Sequence, residues 1–190
     1  MAGPRPLEEH LAAIDELSVE RVADAIEAIG FECTRCGACC RAHDGEDHVA
    51  TVFPEEARHL EEATGYDWRD VVRPMPFGLD ADGTGETIEW TLATDGCGDC
   101  RFLDEGPSGT TTCSVYADRP AICRTYPFSL ADDIGGTPMG ATVDRVGPVR
   151  AHECEGLGRD IDRASADRLA EALIERARRS IEEAMAVRAN

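Results

Sequence analysis

The sequence predicts an α+β fold in which N- and C-terminal helices bracket an irregular, cysteine-ligated centre with few short strands. Three observations predict it. Apolar residues recur at helical spacing at both ends of the chain, one central segment alternates at strand spacing, and five of the nine cysteines lie in a Gly-, Pro-, Asp- and Thr-rich stretch that follows it. At 190 residues the chain is expected to form a single domain, residues 1–190.

The first helical segment is expected over 7–29. Leu7, Leu11, Ile14 and Leu17 form one stripe, and Val19, Val22, Ala23, Ile26 and Ile29 form a second. Ser18 suits an N-cap between them and Gly30 a C-terminal stop. A further helix is read in Phe53–Gly65, with Pro54 in its first turn, Glu55 and Glu56 at the positive end of its dipole, and Gly65 as terminator. His59, on that helix, reads as a surface or packing residue. In Glu86–Thr94, Ile88, Trp90 and Leu92 alternate with Thr87, Glu89 and Thr91, the pattern of a half-buried strand. The closing helix is expected over 165–187, with Leu169, Leu173, Ala177, Ile181 and Ala184 or Met185 on its buried face.

Composition narrows the chemistry. Leu, Ile, Val and Phe make up 36 of 190 residues and the net charge is −19, close to the compositional edge of disorder, so something beyond an ordinary core is expected to hold the fold. All 19 basic residues are Arg, which excludes a P-loop lysine, a Schiff-base lysine and a lysine nucleophile. An acid-rich, Lys-free chain suggests a halophile, in which concentrated salt screens the carboxylates from one another. Nucleic acid is not an expected partner, since no basic stripe exists to neutralise phosphates. No apolar run has the length of a membrane span or leader peptide, so the expected setting is cytoplasmic, without membrane association. Thiols in that compartment stay reduced, and a dense cysteine set there points to metal rather than to disulfides.

The thiols fall into separate motifs: Cys33, Cys36, Cys39 and Cys40 in "FECTRCGACCR", Cys97 and Cys100 in "CGDC", Cys113 in "TTCSVY", Cys123 in "RPAICRTYPF" and Cys154 in "HECEGLG". A C-x2-C step lets two thiolates converge from one tight turn, and C-x2-C-x2-C adds a third ligand. Arg35, Arg41, Arg101 and Arg124 abut these thiols, and cationic neighbours favour thiolates. Pro120 holds Arg119 extended, which presents Cys123 from a rigid corner and leaves Arg119 able to pair with a carboxylate. Tyr116, Tyr126 and Phe128 form a candidate aromatic wall for a cluster, or simply part of the core. His43, His48 and His152 are minor alternatives to a thiolate. No paired-carboxylate site can be found from spacing, and catalytic residues are unknown.

These motifs, over residues 31–159, resemble the CxxCxxCC cysteine-cluster family, also called YkgJ-like, a zinc- or iron-chelating group distantly related to flagellin lysine N-methylase. The resemblance implies metal ligands at Cys33, Cys36, Cys39, Cys40, Cys100, Cys113, Cys123 and Cys154. Cys97 departs from the pattern, as an extra ligand or an inert thiol. Eight ligands suit two 4Fe-4S clusters or two zinc sites, and a tetrathiolate set fits either metal. The ferredoxin-like triple spacing favours an iron-sulfur cofactor, with zinc as the alternative. The methylase link would imply an S-adenosylmethionine substrate, but the chain lacks a recognisable nucleotide-binding loop, and no enzymatic activity is assigned. Adjacent Cys39 and Cys40 point apart in extended backbone, so they are expected to serve different sites.

Overall fold

The periodic segments at the N-terminus form the helices α1 (Leu7–Asp15) and α2 (Val19–Ile29) in the computed structural model of the protein. The structure describes residues 6–42, 47–74, 90–106, 110–131 and 141–188. In chain order there follow β1 (Thr51–Val52), α3 (Pro54–Thr64), α4 (Trp68–Val71), β2 (Val72–Pro74), β3 (Trp90–Leu92), β4 (Leu103–Glu105) and β5 (Thr111–Cys113). The last elements are α5 (Ala121–Thr125), β6 (Phe128–Leu130), β7 (Thr142–Val146), β8 (Val149–His152) and α6 (Arg163–Arg188). Mixed helices and small antiparallel sheets make this an α+β fold. The chain divides into two compact units, residues 1–34 with 124–190, and residues 35–123.

The first unit is built by the terminal helices. Ser18 accepts the amide of Arg21 at 3.2 Å and so caps α2. Asp162 accepts both the amide (2.9 Å) and the hydroxyl (2.6 Å) of Ser165 at the start of α6, and these bonds hold its carboxyl below the usual carboxylate range. The helices cover an antiparallel sheet of order β6-β8-β7, in which Phe128 faces Ala151 and Leu130 faces Val149. Ile14, Val22, Ile26, Phe128, Leu130, Val149, Leu173 and Ile181 lie in its core, and among the described residues that core contains no cysteine. Met185 and Leu169 pack against it, as the predicted face of the closing helix requires. Arg176 is buried and donates to the Thr125 hydroxyl at 2.6 Å.

Phe128 is fully buried and meets Phe31 edge to face, with centroids 5.6 Å apart. Phe128→Ala is therefore expected to cost about 3–5 kcal/mol of unfolding free energy, measured by chemical denaturation. A cost below about 1 kcal/mol would contradict this packing.

In the second unit β3 is the central strand of a sheet of order β1-β3-β2, and β4 pairs with β5 in a separate two-stranded ribbon. Trp90 and Leu92 lie on β3 as expected, but Thr91 between them is buried as well, its hydroxyl accepting the Ala50 amide at 3.0 Å, so the strand is not the half-buried one that the alternation predicts; residues 86–89 of that expected strand lie outside the described residues. α3 starts at Pro54 and stops at Gly65, which takes a φ of 71°, as read from the sequence. The core gathers Val52, Ala57, Leu60, Val71, Leu92, Phe102 and Val115 around buried Cys100, with Cys40, Cys113 and Cys123 packed against it. The core of the second unit thus contains thiols where the first has aliphatic side chains. The stretch from Cys97 to Gly158, which shows little periodicity, holds the short strands β4 to β8. No helix among the described residues is long and apolar enough to cross a membrane.

Candidate metal centre

Backbone pairing and a short helix bring together four segments of the second unit that carry thiols. Cys39 and Cys40 sit on a single 3-10 turn, Ala38–Cys40, that begins at Gly37 with φ 77°. A side chain at Gly37 would meet the Thr111 hydroxyl at 2.7 Å, so glycine is required both for the left-handed turn and for its approach to β5. The Cys40 carbonyl accepts the Cys100 amide at 2.7 Å, and the Cys100 carbonyl accepts the Leu103 amide at 2.9 Å. Leu103 then faces Cys113 across the β4-β5 ladder. Cys123 enters from α5, so that Cys40, Cys100, Cys113 and Cys123 lie around one core, with exposed Cys39 beside Cys40.

The Sγ atoms of Cys39 and Cys40 are 3.8 Å apart. The adjacent thiols therefore do not diverge as extended backbone would require, because a 3-10 turn turns successive side chains through much less than the half-turn of a strand.

The thiols in this set disfavour one another's ionisation. Contact with Cys40 holds the Cys39 thiol above its usual range. Burial pushes Cys100 up to about 11, with the charges of Cys113 and Cys39 adding to the rise. Burial likewise raises Cys113 and Cys123, the latter with contributions from Cys100, Cys39 and Cys113. Such a set is stable as thiols when empty and as thiolates around a cation, whose charge reverses the repulsion and deprotonates coordinating sulfur. Among the described residues no three Cys, His, Asp or Glu side chains are gathered as tightly as a bound ion requires. By donor chemistry, however, a soft all-thiol set fits zinc and iron-sulfur ligation.

The remaining predicted ligands are placed differently. Cys33 is exposed and Cys154 half-buried, and both belong to the first unit. Their segments run antiparallel, with Phe31 bridged to Leu157, the Glu32 amide donating to the Gly156 carbonyl at 3.0 Å, and the Thr34 hydroxyl donating to Glu155. A side chain at Gly156 would collide with the Glu32 carbonyl, which explains a glycine two residues after Cys154. Cys36 is half-buried on the loop of the second unit, next to Arg35, whose carbonyl accepts the Thr111 hydroxyl at 2.7 Å. Cys97 is exposed on a turn in which Asp95 accepts its amide at 2.8 Å.

The arginines beside the thiols mostly have other partners. Arg41 pairs with Asp99 at 3.3 Å and with Glu105, and Arg101 lies over the Tyr66 ring at 4.8 Å and 3.9 Å from Asp70. Arg119, six residues from Cys113 and four from Cys123, is instead the cation that partly offsets the rise at Cys39, Cys113 and Cys123. Adjacency in sequence could not reveal it. Arg119 has extended geometry (φ −55°, ψ 135°), as Pro120 predicts, but among the described residues it pairs with no carboxylate. The candidate aromatic wall is divided. Phe128 belongs to the core of the first unit and the Tyr126 hydroxyl donates to the Glu153 carbonyl there, whereas Tyr116 lies exposed in the second. His152 is buried, with a ring nitrogen 2.8 Å from the Ser129 hydroxyl, and His59 is exposed beside Asp118 at 2.8 Å. His43 lies outside the described residues.

Cys123 owes its placement to α3. One carboxylate oxygen of Glu56 accepts the Phe53 amide at 3.1 Å and the other accepts the Ala121 amide at 2.8 Å, tying the first turn of α5 to the first turn of α3. Glu56→Ala removes both bonds, so a stability loss of about 1–3 kcal/mol is expected, together with faster alkylation of Cys123 in the native state. Unchanged alkylation would show that α5 is held by other contacts.

The profile of the CxxCxxCC family, described as a "Putative zinc- or iron-chelating domain", matches residues 32–155, about two-thirds of the chain. No match was found among curated proteins or solved structures. The matched span begins one residue before Cys33 and ends one residue after Cys154, so it contains every cysteine described above, and the chain belongs to the CxxCxxCC family.

Proposed function

We propose that this chain is an iron-sulfur protein whose cluster serves electron transfer or a cluster-dependent enzymatic step in a reducing, cytoplasmic setting. The observation that carries this reading is the gathering of Cys40, Cys100, Cys113 and Cys123 on one core, with Cys39 beside Cys40, in a family whose description is metal chelation. We assign the ligands to Cys33, Cys36, Cys39, Cys40, Cys100, Cys113, Cys123 and Cys154, and leave Cys97, exposed on its turn, outside the set. A bound cluster would supply one-electron chemistry. The chain's own part is to gather soft donors, exclude water through Phe102, Val115 and Leu60, and hold Cys123 through Glu56.

A second reading is a zinc-structured protein-interaction module. The packing of Cys40, Cys100, Cys113 and Cys123 into the hydrophobic core favours it, because metal there would stabilise the fold directly. Metal analysis with optical and EPR spectra on anaerobically purified protein separates the two. Brown protein that bleaches with dithionite supports iron-sulfur, and colourless protein with stoichiometric zinc overturns it.

A further inference from the structure

Arg35 and Arg119 both lie on the ring of Tyr116, with guanidinium carbons 4.9 Å and 3.8 Å from its centroid. Each is anchored by a hydrogen bond: the Nε of Arg119 donates to the Tyr116 carbonyl at 3.1 Å, and the Arg35 carbonyl accepts the Thr111 hydroxyl at 2.7 Å. Arg35 has a φ of 58°, a left-handed backbone that glycine adopts more readily, so a side chain is kept there at a local conformational cost. A guanidinium presents about five N–H donors. Among the described residues Arg119 uses only its Nε–H, and the Arg35 guanidinium uses none. The carboxylate next in sequence to Arg119, that of Asp118, faces His59 at 2.8 Å instead. Tyr116 is exposed, and its hydroxyl has no hydrogen-bond partner among the described residues. By contrast Arg41, Arg73 and Arg101 of the same unit each face a carboxylate.

Two guanidiniums on one ring repel each other, and among the described residues this pair has no carboxylate to offset the repulsion. Their unused N–H forks match the paired oxygens of a carboxylate or phosphate. We infer that Arg35, Arg119 and the Tyr116 hydroxyl form a binding site for an oxyanion from outside the chain, the phosphoryl or carboxylate group of a small molecule. The rest of the surface favours a compact anion over an acidic protein, because a net charge of −19 repels an extended polyanion while a small one meets the local cations. Neither metal nor thiol takes part, so the site stands independently of the metal-binding reading.

The test is calorimetric titration of the anaerobically purified 190-residue chain with two probes, inorganic phosphate and succinate, at the lowest KCl that keeps it folded. At least one probe should bind, and the tighter of the two identifies phosphoryl or carboxylate as the group recognised. Arg119→Gln and Arg35→Gln should each weaken that binding about 10–100-fold, as expected for loss of charge-assisted hydrogen bonds. Arg69→Gln removes the same charge from an exposed position on α4 and should bind within about threefold of wild type. The Arg35 guanidinium makes no hydrogen bond among the described residues, so Arg35→Gln keeps the test valid if Arg119→Gln fails to fold. Absence of binding by both probes overturns the inference. So does an Arg35→Gln variant that binds as tightly as wild type, or an Arg69→Gln variant weakened as much as Arg35→Gln.

Discussion

Cys100→Ala is expected to abolish metal binding while leaving most of the second unit's packing in place. Cys100 is 5% exposed and lies among Phe102, Val115, Leu60 and Leu92, where a free cysteine behaves as a small apolar side chain. Removing its sulfur costs about 1 kcal/mol of packing. Removing a ligand should cost more affinity than the about 10–100-fold associated with an outer-shell partner. Cys100→Ser makes the useful contrast, because it also buries a hydroxyl, at a further cost of about 1–3 kcal/mol. Cys97→Ser, on an exposed turn, should bind metal like wild type. Metal per chain in anaerobic preparations, measured beside denaturation midpoints, separates ligand loss from unfolding. A Cys100→Ala protein with wild-type metal content would remove Cys100 from the ligand set.

Demetallation is expected to unfold the two units unequally. Among the described residues the core of the first unit is aliphatic and aromatic with no cysteine, and its helices α1, α2 and α6 contain 9, 11 and 26 residues. In the second unit the core is built around Cys100 and three more thiols, and α3 and α4 contain 11 and 4 residues. Structural metal in small thiolate sites is worth about 10–16 kcal/mol, as much as the whole stability of an ordinary domain. A chelator should therefore abolish amide protection in residues 35–123 while most of the far-ultraviolet helical signal persists. Hydrogen exchange read by mass spectrometry checks this segment by segment. Uniform loss across both units, or retained protection in residues 35–123, would refute a metal-dependent core confined to the second unit.

The terminal helices and α3 were legible because each combines a 3.6-residue apolar stripe with punctuation that has its own physical cause. Ser18 caps, Pro54 starts, and Gly30 and Gly65 take the positive φ that ends a helix. The strands β6 to β8 were not legible. Phe128–Leu130 is buried along its whole length, so it shows no alternation, and at three to five residues these strands are too short for a periodic signal. The divergence expected of Cys39 and Cys40 failed for a related reason. Two adjacent cysteines carry no sign of their backbone, and Gly37 with its positive φ placed them on a 3-10 turn.

By itself the sequence determined the chemistry available: nine thiols, no lysine, and motif spacings that identify the family. Tertiary structure decided which thiols meet. Cys40 and Cys100 are joined by one backbone hydrogen bond across 60 residues, Cys113 by a ladder partner of Cys100's own turn, and Cys123 by a carboxylate on α3. Neighbours in sequence are constrained by backbone geometry to point where the local turn sends them, whereas neighbours in space are set by which segments pair, and pairing is a property of the whole chain.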